Sequence, residues 1–72
     1  MEGKVFNRIK AVLAEQQRTN NWLAETLGVS RITVSKWCTN RMQPSIETLF
    51  LIAEALNVEA RELLVRRQGG DS

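Results

Sequence analysis

Apolar residues recur at helical spacing in five stretches of the chain, separated by short polar bends. In the first, Val5, Phe6, Ile9, Val12 and Leu13 fall at i, i+1, i+4, i+7 and i+8. That single stripe predicts an amphipathic helix from Gly3 to about Gln17, with Lys4, Arg8, Lys10 and Glu15 on its other side. Thr19 is a capping residue for a second helix over Asn20 to Leu27, whose apolar positions are Leu23, Ala24 and Leu27. Gly28 follows the last of them, where a left-handed backbone is easiest for glycine. Val29 fills the turn, and Ser30 caps a third helix running to Cys38 with Val34 and Trp37 facing inward. Asn40 can take the left-handed position after that helix, and Pro44 biases Gln43 toward extended backbone. Ser45 caps a fourth helix ending at about Asn57, with Glu47 in its first turn and Ile46, Leu49, Ile52, Ala53 and Leu56 as its core stripe. Glu59 to Leu64 reads as a last short helix returning Leu63 and Leu64 to the core.

These elements contain no strand signal, no repeat and no low-complexity linker. They predict an all-α, compact five-helix bundle in a single domain, residues 1–65, followed by a flexible tail over 66–72. Seventy-two residues are close to the minimum for a fold without staples. One cysteine and no histidine exclude an internal disulfide and a Cys/His zinc site. With no metal cluster, no glycine-rich phosphate loop and no paired carboxylates beside a nucleophile, neither an enzyme nor a cofactor is expected. The longest apolar run, Leu49 to Ala53, is too short for a membrane span, and no signal peptide is visible. A cytoplasmic protein with no membrane partner is the expectation.

Charge changes the picture further. Between Arg18 and Pro44, four cations (Arg18, Arg31, Lys36 and Arg41) face one carboxylate, Glu25; between Ser45 and Leu64, Glu47, Glu54, Glu59 and Glu62 face Arg61 alone. The first region is oriented toward a polyanion and the second away from it. Solvated surface charge is the plain alternative. With Val34 and Trp37 inward, the third helix turns Arg31, Ile32, Thr33, Ser35 and Lys36 outward. Two cations, two hydroxyls and one branched apolar side chain suit the major groove of double-stranded DNA.

The chain resembles the XRE-type class of helix-turn-helix domains, the phage-repressor and Cro group, over about Asn7 to Leu64. The resemblance rests on T-x-x-x-L-A-x-x-L-G-V-S at Thr19 to Ser30 and T-V-S-K-W at Thr33 to Trp37. It continues with P-S-x-x-T-L at Pro44 to Leu49 and I-A-x-A-L-N-V at Ile52 to Val58. It implies a lambda-repressor-like fold with the helix-turn-helix in helices two and three. Residues 31–38 would lie in the major groove. By position, Ser30, Arg31, Ile32, Thr33 and Lys36 become candidates for base contacts. Asn20, Ser35, Asn40, Arg41 and Gln43 become candidates for the DNA backbone, Asn20 with a possible brace to Arg31. Arg31 could pair bidentately with guanine, and Ile32 could pack on a thymine methyl. The implied function is a sequence-specific transcriptional regulator binding an inverted repeat as a homodimer, with half-sites roughly 10 bp apart. The rival is an antitoxin-like module that holds a protein partner through helix 45–57 and also binds DNA to regulate itself.

Some positions depart from the family pattern. Many relatives pair an acidic residue at position 38 with an arginine at position 13; here Cys38 and Leu13 read as an apolar pair in contact. Asn20 stands where glutamine is common. Trp22 occupies a usually polar position, either partly buried or facing a partner. Phe50 and Leu51 lie partly off their helix's core stripe, near Val58 and Val65. They form either a dimer or partner surface, or a patch covered by the last helix or Phe6.

Overall fold

The computed structural model describes residues 5–65 and contains four α-helices and one 3₁₀ turn. In order these are α1 (Ile9–Glu15), α2 (Asn20–Leu27), α3 (Arg31–Cys38), α4 (Ile46–Leu56) and the 3₁₀ turn Ala60–Leu63. The expected fifth helix is therefore only that turn. Three hydroxyls cap the helices that follow them: Thr19, Ser30 and Ser45 accept from the backbone N–H groups of Trp22, Thr33 and Thr48. Gly28 and Asn40 adopt the left-handed conformation at φ 74° and 61°, as their positions suggested, and Asn57 and Gln17 join them, both at 58°. Gln17 ends α1 in a tight reversal, where the N–H of Arg18 donates to Leu13 O at 2.8 Å. The proposed tail, 66–72, lies outside the described residues.

One core holds all five elements. Ile9, Val12 and Leu13 from α1 meet Leu23 and Ala24 from α2 and Val34 and Trp37 from α3. Leu49, Ile52, Ala53 and Leu56 from α4 and Leu63 from the last turn complete it. α2 packs on both α3 and α4, and small Ala24, 3% exposed, sits at the buried centre of α2. At about 25 cal/mol per Å² of apolar surface, burial of this cluster is the main term holding α3 in place.

Three expectations need correction. The first helix begins at Ile9 rather than Gly3, and Val5 and Phe6 are 62% and 49% exposed. Their helical spacing is overruled by hydrogen bonds to distant residues. The N–H of Arg8 donates to Leu63 O (2.8 Å), that of Val65 donates to Phe6 O (3.0 Å), and Asn7 pairs antiparallel with Leu64. This extended pairing also explains Leu64, which is exposed while Leu63 is buried, since successive side chains alternate. Finally, Ile46 is 69% exposed. Burial along its stripe deepens from Ile46 through Leu49 to Ile52, so the first turn of α4 projects past the end of the core.

Candidate nucleic-acid interface

α3 is anchored on one side by Val34 and Trp37, which are buried, and this fixes what it presents on the other. Arg31, Ile32, Ser35 and Lys36 are exposed and Thr33 is half-buried. Ile32 leaves 69% of its surface in water, which costs free energy in the isolated chain unless something covers it. Ser30 caps the helix and shares a 3.0 Å hydrogen bond with the Thr33 hydroxyl, so these two candidate base contacts are already engaged with each other. Lys36 lies in the last turn, where a cation complements the helix dipole. Arg31, Lys36 and Arg41 pair with no carboxylate among the described residues; the ion pair found there joins half-buried Arg8 and exposed Glu15 at 3.2 Å.

Ile32, Ser35, Lys36, Thr39 and Arg41 line one shallow hollow that spans α3 and the loop after it. Thr39 is a member that the sequence reading missed. Its hydroxyl donates to Ser35 O at 3.0 Å, in the manner of a helical threonine. A second hollow, over the turn, is lined by Asn21, Glu25, Gly28, Val29, Ser30 and Arg31, among others. Arg31 therefore stands at the border between the α2–α3 turn and the outer face of α3.

Of the candidate backbone contacts, Ser35 and Arg41 are exposed and their side chains remain available. Asn20 is exposed at the start of α2. Its Oδ1 accepts from the Cys38 thiol at 3.5 Å, and no hydrogen bond joins it to Arg31 among the described residues. Asn40 and Gln43 differ, because their side chains bond to each other and to the N-terminal segment. Gln43 Nε2 donates to Asn40 Oδ1 (3.0 Å), and Gln43 Oε1 accepts from Asn7 Nδ2 (2.8 Å). Asn7 is 3% exposed and stands ahead of α1, not within the helix that the apolar spacing predicts from Gly3. The signal that marks it is its type: asparagine favours a turn onto the backbone two residues on, and its Oδ1 does accept from the Ile9 N–H at 3.0 Å, just ahead of the N-cap Arg8.

Cys38 is half-buried against the core cluster that includes Leu13. Burial pushes its thiol above the ordinary value of 9.0, with Lys10 partly opposing the shift. Trp22 is half-buried, and the Arg18 guanidinium lies 4.4 Å from its ring centroid. On α4, Phe50 and Leu51 are 59% and 52% exposed, so neither Phe6 nor the last turn covers them. With Ala53, Val58 and Ala60 they line an apolar groove edged by Glu54 and Glu59. Val65 is not among its lining residues.

A family model described as helix-turn-helix matches residues 9–63, which runs from the first residue of α1 to the last of the 3₁₀ turn. Seven chains of solved structures are similar to this one. One is the crystal structure of a "putative DNA-binding protein" from Bacteroides fragilis. It is 58% identical, covers 82% of this chain and 95% of its own, and superposes with a TM-score of 0.81. No curated protein matches the chain.

Proposed function

The chain belongs to the XRE-type helix-turn-helix family, and on that premise we propose that it is a sequence-specific regulator that binds double-stranded DNA. The observation that carries the proposal is the outer face of α3, where Arg31, Ile32 and Lys36 stand clear of a core that holds the helix rigid. The similarity to the Bacteroides fragilis protein adds independent support. In this reading the N-terminal part of α3 enters the major groove. Arg31 donates two hydrogen bonds to guanine, Ile32 covers a thymine methyl, and Lys36 reaches guanine or phosphate. Ser30 and Thr33 approach the bases from the helix start. Ser35, Arg41 and Asn20 hold the flanking backbone. Nothing in this role calls for a catalytic residue or a cofactor.

Two copies on an inverted repeat with half-sites roughly one helical turn apart would place both α3 helices on one side of the duplex. The groove at Phe50, Leu51 and Val58 is the surface we assign to that pairing. The same groove supports the second reading, an antitoxin-like module that captures a protein partner through helix 45–57.

Selection from a pool of randomised duplexes near physiological salt tests the first reading. It should enrich an inverted repeat, and Arg31→Ala should weaken specific binding by about 1–3 kcal/mol and relax one position of the preferred sequence. An unchanged preference in Arg31→Ala would refute the assigned face. No enrichment, with weak binding that vanishes as salt rises, would leave only electrostatic attraction and favour the protein-capture reading.

A further inference from the structure

Asn7 is buried too deeply to touch a phosphate, yet every polar atom of its side chain is committed. Nδ2 donates to Trp37 O at 3.0 Å and to Gln43 Oε1 at 2.8 Å, while Oδ1 accepts from the Ile9 N–H at 3.0 Å. Facing it, Asn40 uses Oδ1 to accept from the N–H groups of Phe6 (2.8 Å) and Asn7 (3.0 Å) and from Gln43 Nε2 (3.0 Å). Its Nδ2 donates to Asn7 O at 3.1 Å. Five of these bonds join positions 30 to 36 residues apart. They form a clasp between the N-terminal segment, the last turn of α3 and the loop after it.

That loop carries Arg41. Its backbone is also tied to α3, since the N–H groups of Arg41 and Met42 both donate to Lys36 O, at 2.9 and 3.2 Å. Arg41 lines the same hollow as Ile32, Ser35 and Lys36 of α3 and Thr39 at its end. The spacing of the two cations therefore depends on where the loop sits, and the clasp ties it to the N-terminal segment in addition to its bonds to Lys36 O. We propose that Asn7 and Asn40 are positioning residues, holding the Arg41 loop against α3 so that Lys36 and Arg41 meet the DNA backbone at a set separation. The proposal rests on the DNA-binding reading above. A loop ordered in advance gives up less conformational freedom on binding than one that must be ordered by the duplex. It also gives Asn40 and Gln43 a role other than direct phosphate contact.

Asn40→Gly is the informative variant. At φ 61° glycine is at ease, so the backbone is preserved and only the carboxamide is removed. Asn7→Ala removes the other half of the clasp from a residue that cannot reach DNA. Affinity for a random-sequence duplex is measured across a salt series for the wild type, both variants, Arg41→Ala and the Asn40→Gly/Arg41→Ala pair. Thermal unfolding run alongside confirms that each chain is folded at the assay temperature. A purely structural loss would lower the melting temperature and leave the salt slope of the folded protein unchanged. The expected result is a several-fold loss of affinity in each clasp variant, with the slope of log K against log salt shallower by about 1, as in Arg41→Ala. The double variant should lose little more than either single.

A wild-type slope in folded Asn40→Gly, or full additivity with Arg41→Ala, would overturn the proposal. So would a loss in Asn40→Gly that a folded Asn7→Ala does not share, because Asn40 would then touch phosphate itself. A wild-type chain with no salt-dependent affinity for DNA would overturn the DNA-binding reading and the clasp's role with it.

Discussion

Cys38 illustrates how one residue carries the chain's departure from its relatives. Position 38 in many family members holds one side of a buried ion pair; here a thiol sits half-buried among apolar side chains, its proton directed at Asn20 Oδ1. Burial opposes the thiolate in the folded chain alone, so the folded pKa lies above 9.0. Between 9.0 and that higher value the unfolded chain releases its proton while the folded chain keeps it. The unfolded state then binds fewer protons, and stability falls as pH rises through that window. Below it the thiol is neutral in both states and makes no difference. Urea midpoints of the wild type and Cys38→Ala at pH 7 and at several values above 9 check this. The wild type should lose more stability on the alkaline side than the variant; parallel curves would mean that another group causes any decline.

At the scale of elements, the limiting piece is α3, eight residues long and too short to persist without its cap and its packing. Ser30→Ala removes the acceptor for the Thr33 N–H and should cost about 1 kcal/mol, read as a lower melting temperature. Ser30→Asp separates the two roles of this residue. A carboxylate still caps the helix and suits its dipole, so stability should hold, while its charge repels phosphate and DNA affinity should fall. Equal DNA affinity in Ser30→Asp and wild type would place the start of α3 away from the duplex. The helix-turn-helix was legible in the sequence because its signals are local. Thr19, Gly28 and Ser30 mark its boundaries by backbone chemistry, and Leu23, Ala24, Val34 and Trp37 mark its buried side by spacing. The ends of the chain were not legible for the opposite reason. Val5 and Phe6 extend a helical stripe, but the backbone of Phe6 to Arg8 is claimed by Asn40, Leu63 and Val65, partners no local window contains. Ile46 was misplaced similarly, because spacing gives the angle of a stripe and not how far along the helix the core extends. The candidate face of α3 was visible from its composition; the engagement of Asn40 and Gln43 with Asn7 was not, since it depends on contacts across thirty and more residues.

Over the whole molecule, the two ends of the charge distribution set opposite requirements. Arg31, Lys36 and Arg41 lie on the α3 side, whereas the groove lined by Phe50, Leu51 and Val58 is edged by Glu54 and Glu59. If two copies pair through that groove, two-fold symmetry places the same patch on both sides, so the carboxylates of one copy approach those of the other. Apolar contact at Phe50 and Leu51 must then outweigh like-charge repulsion, and salt that screens the carboxylates should strengthen pairing. DNA binding responds in the reverse sense, because salt weakens the attraction of cations for phosphate. Sedimentation of the protein alone should therefore show more dimer as salt rises, over the range in which affinity for DNA falls. Leu51→Glu adds a third carboxylate to the groove at a residue already 52% exposed. It should leave the melting temperature nearly unchanged, since substitutions at such exposed positions usually alter stability by no more than about 0.5 kcal/mol. It should nonetheless abolish the dimer and convert inverted-repeat binding into weaker half-site binding. A Leu51→Glu chain that still dimerises and still binds the full repeat would place the pairing surface elsewhere on the molecule and leave the groove to a different protein partner.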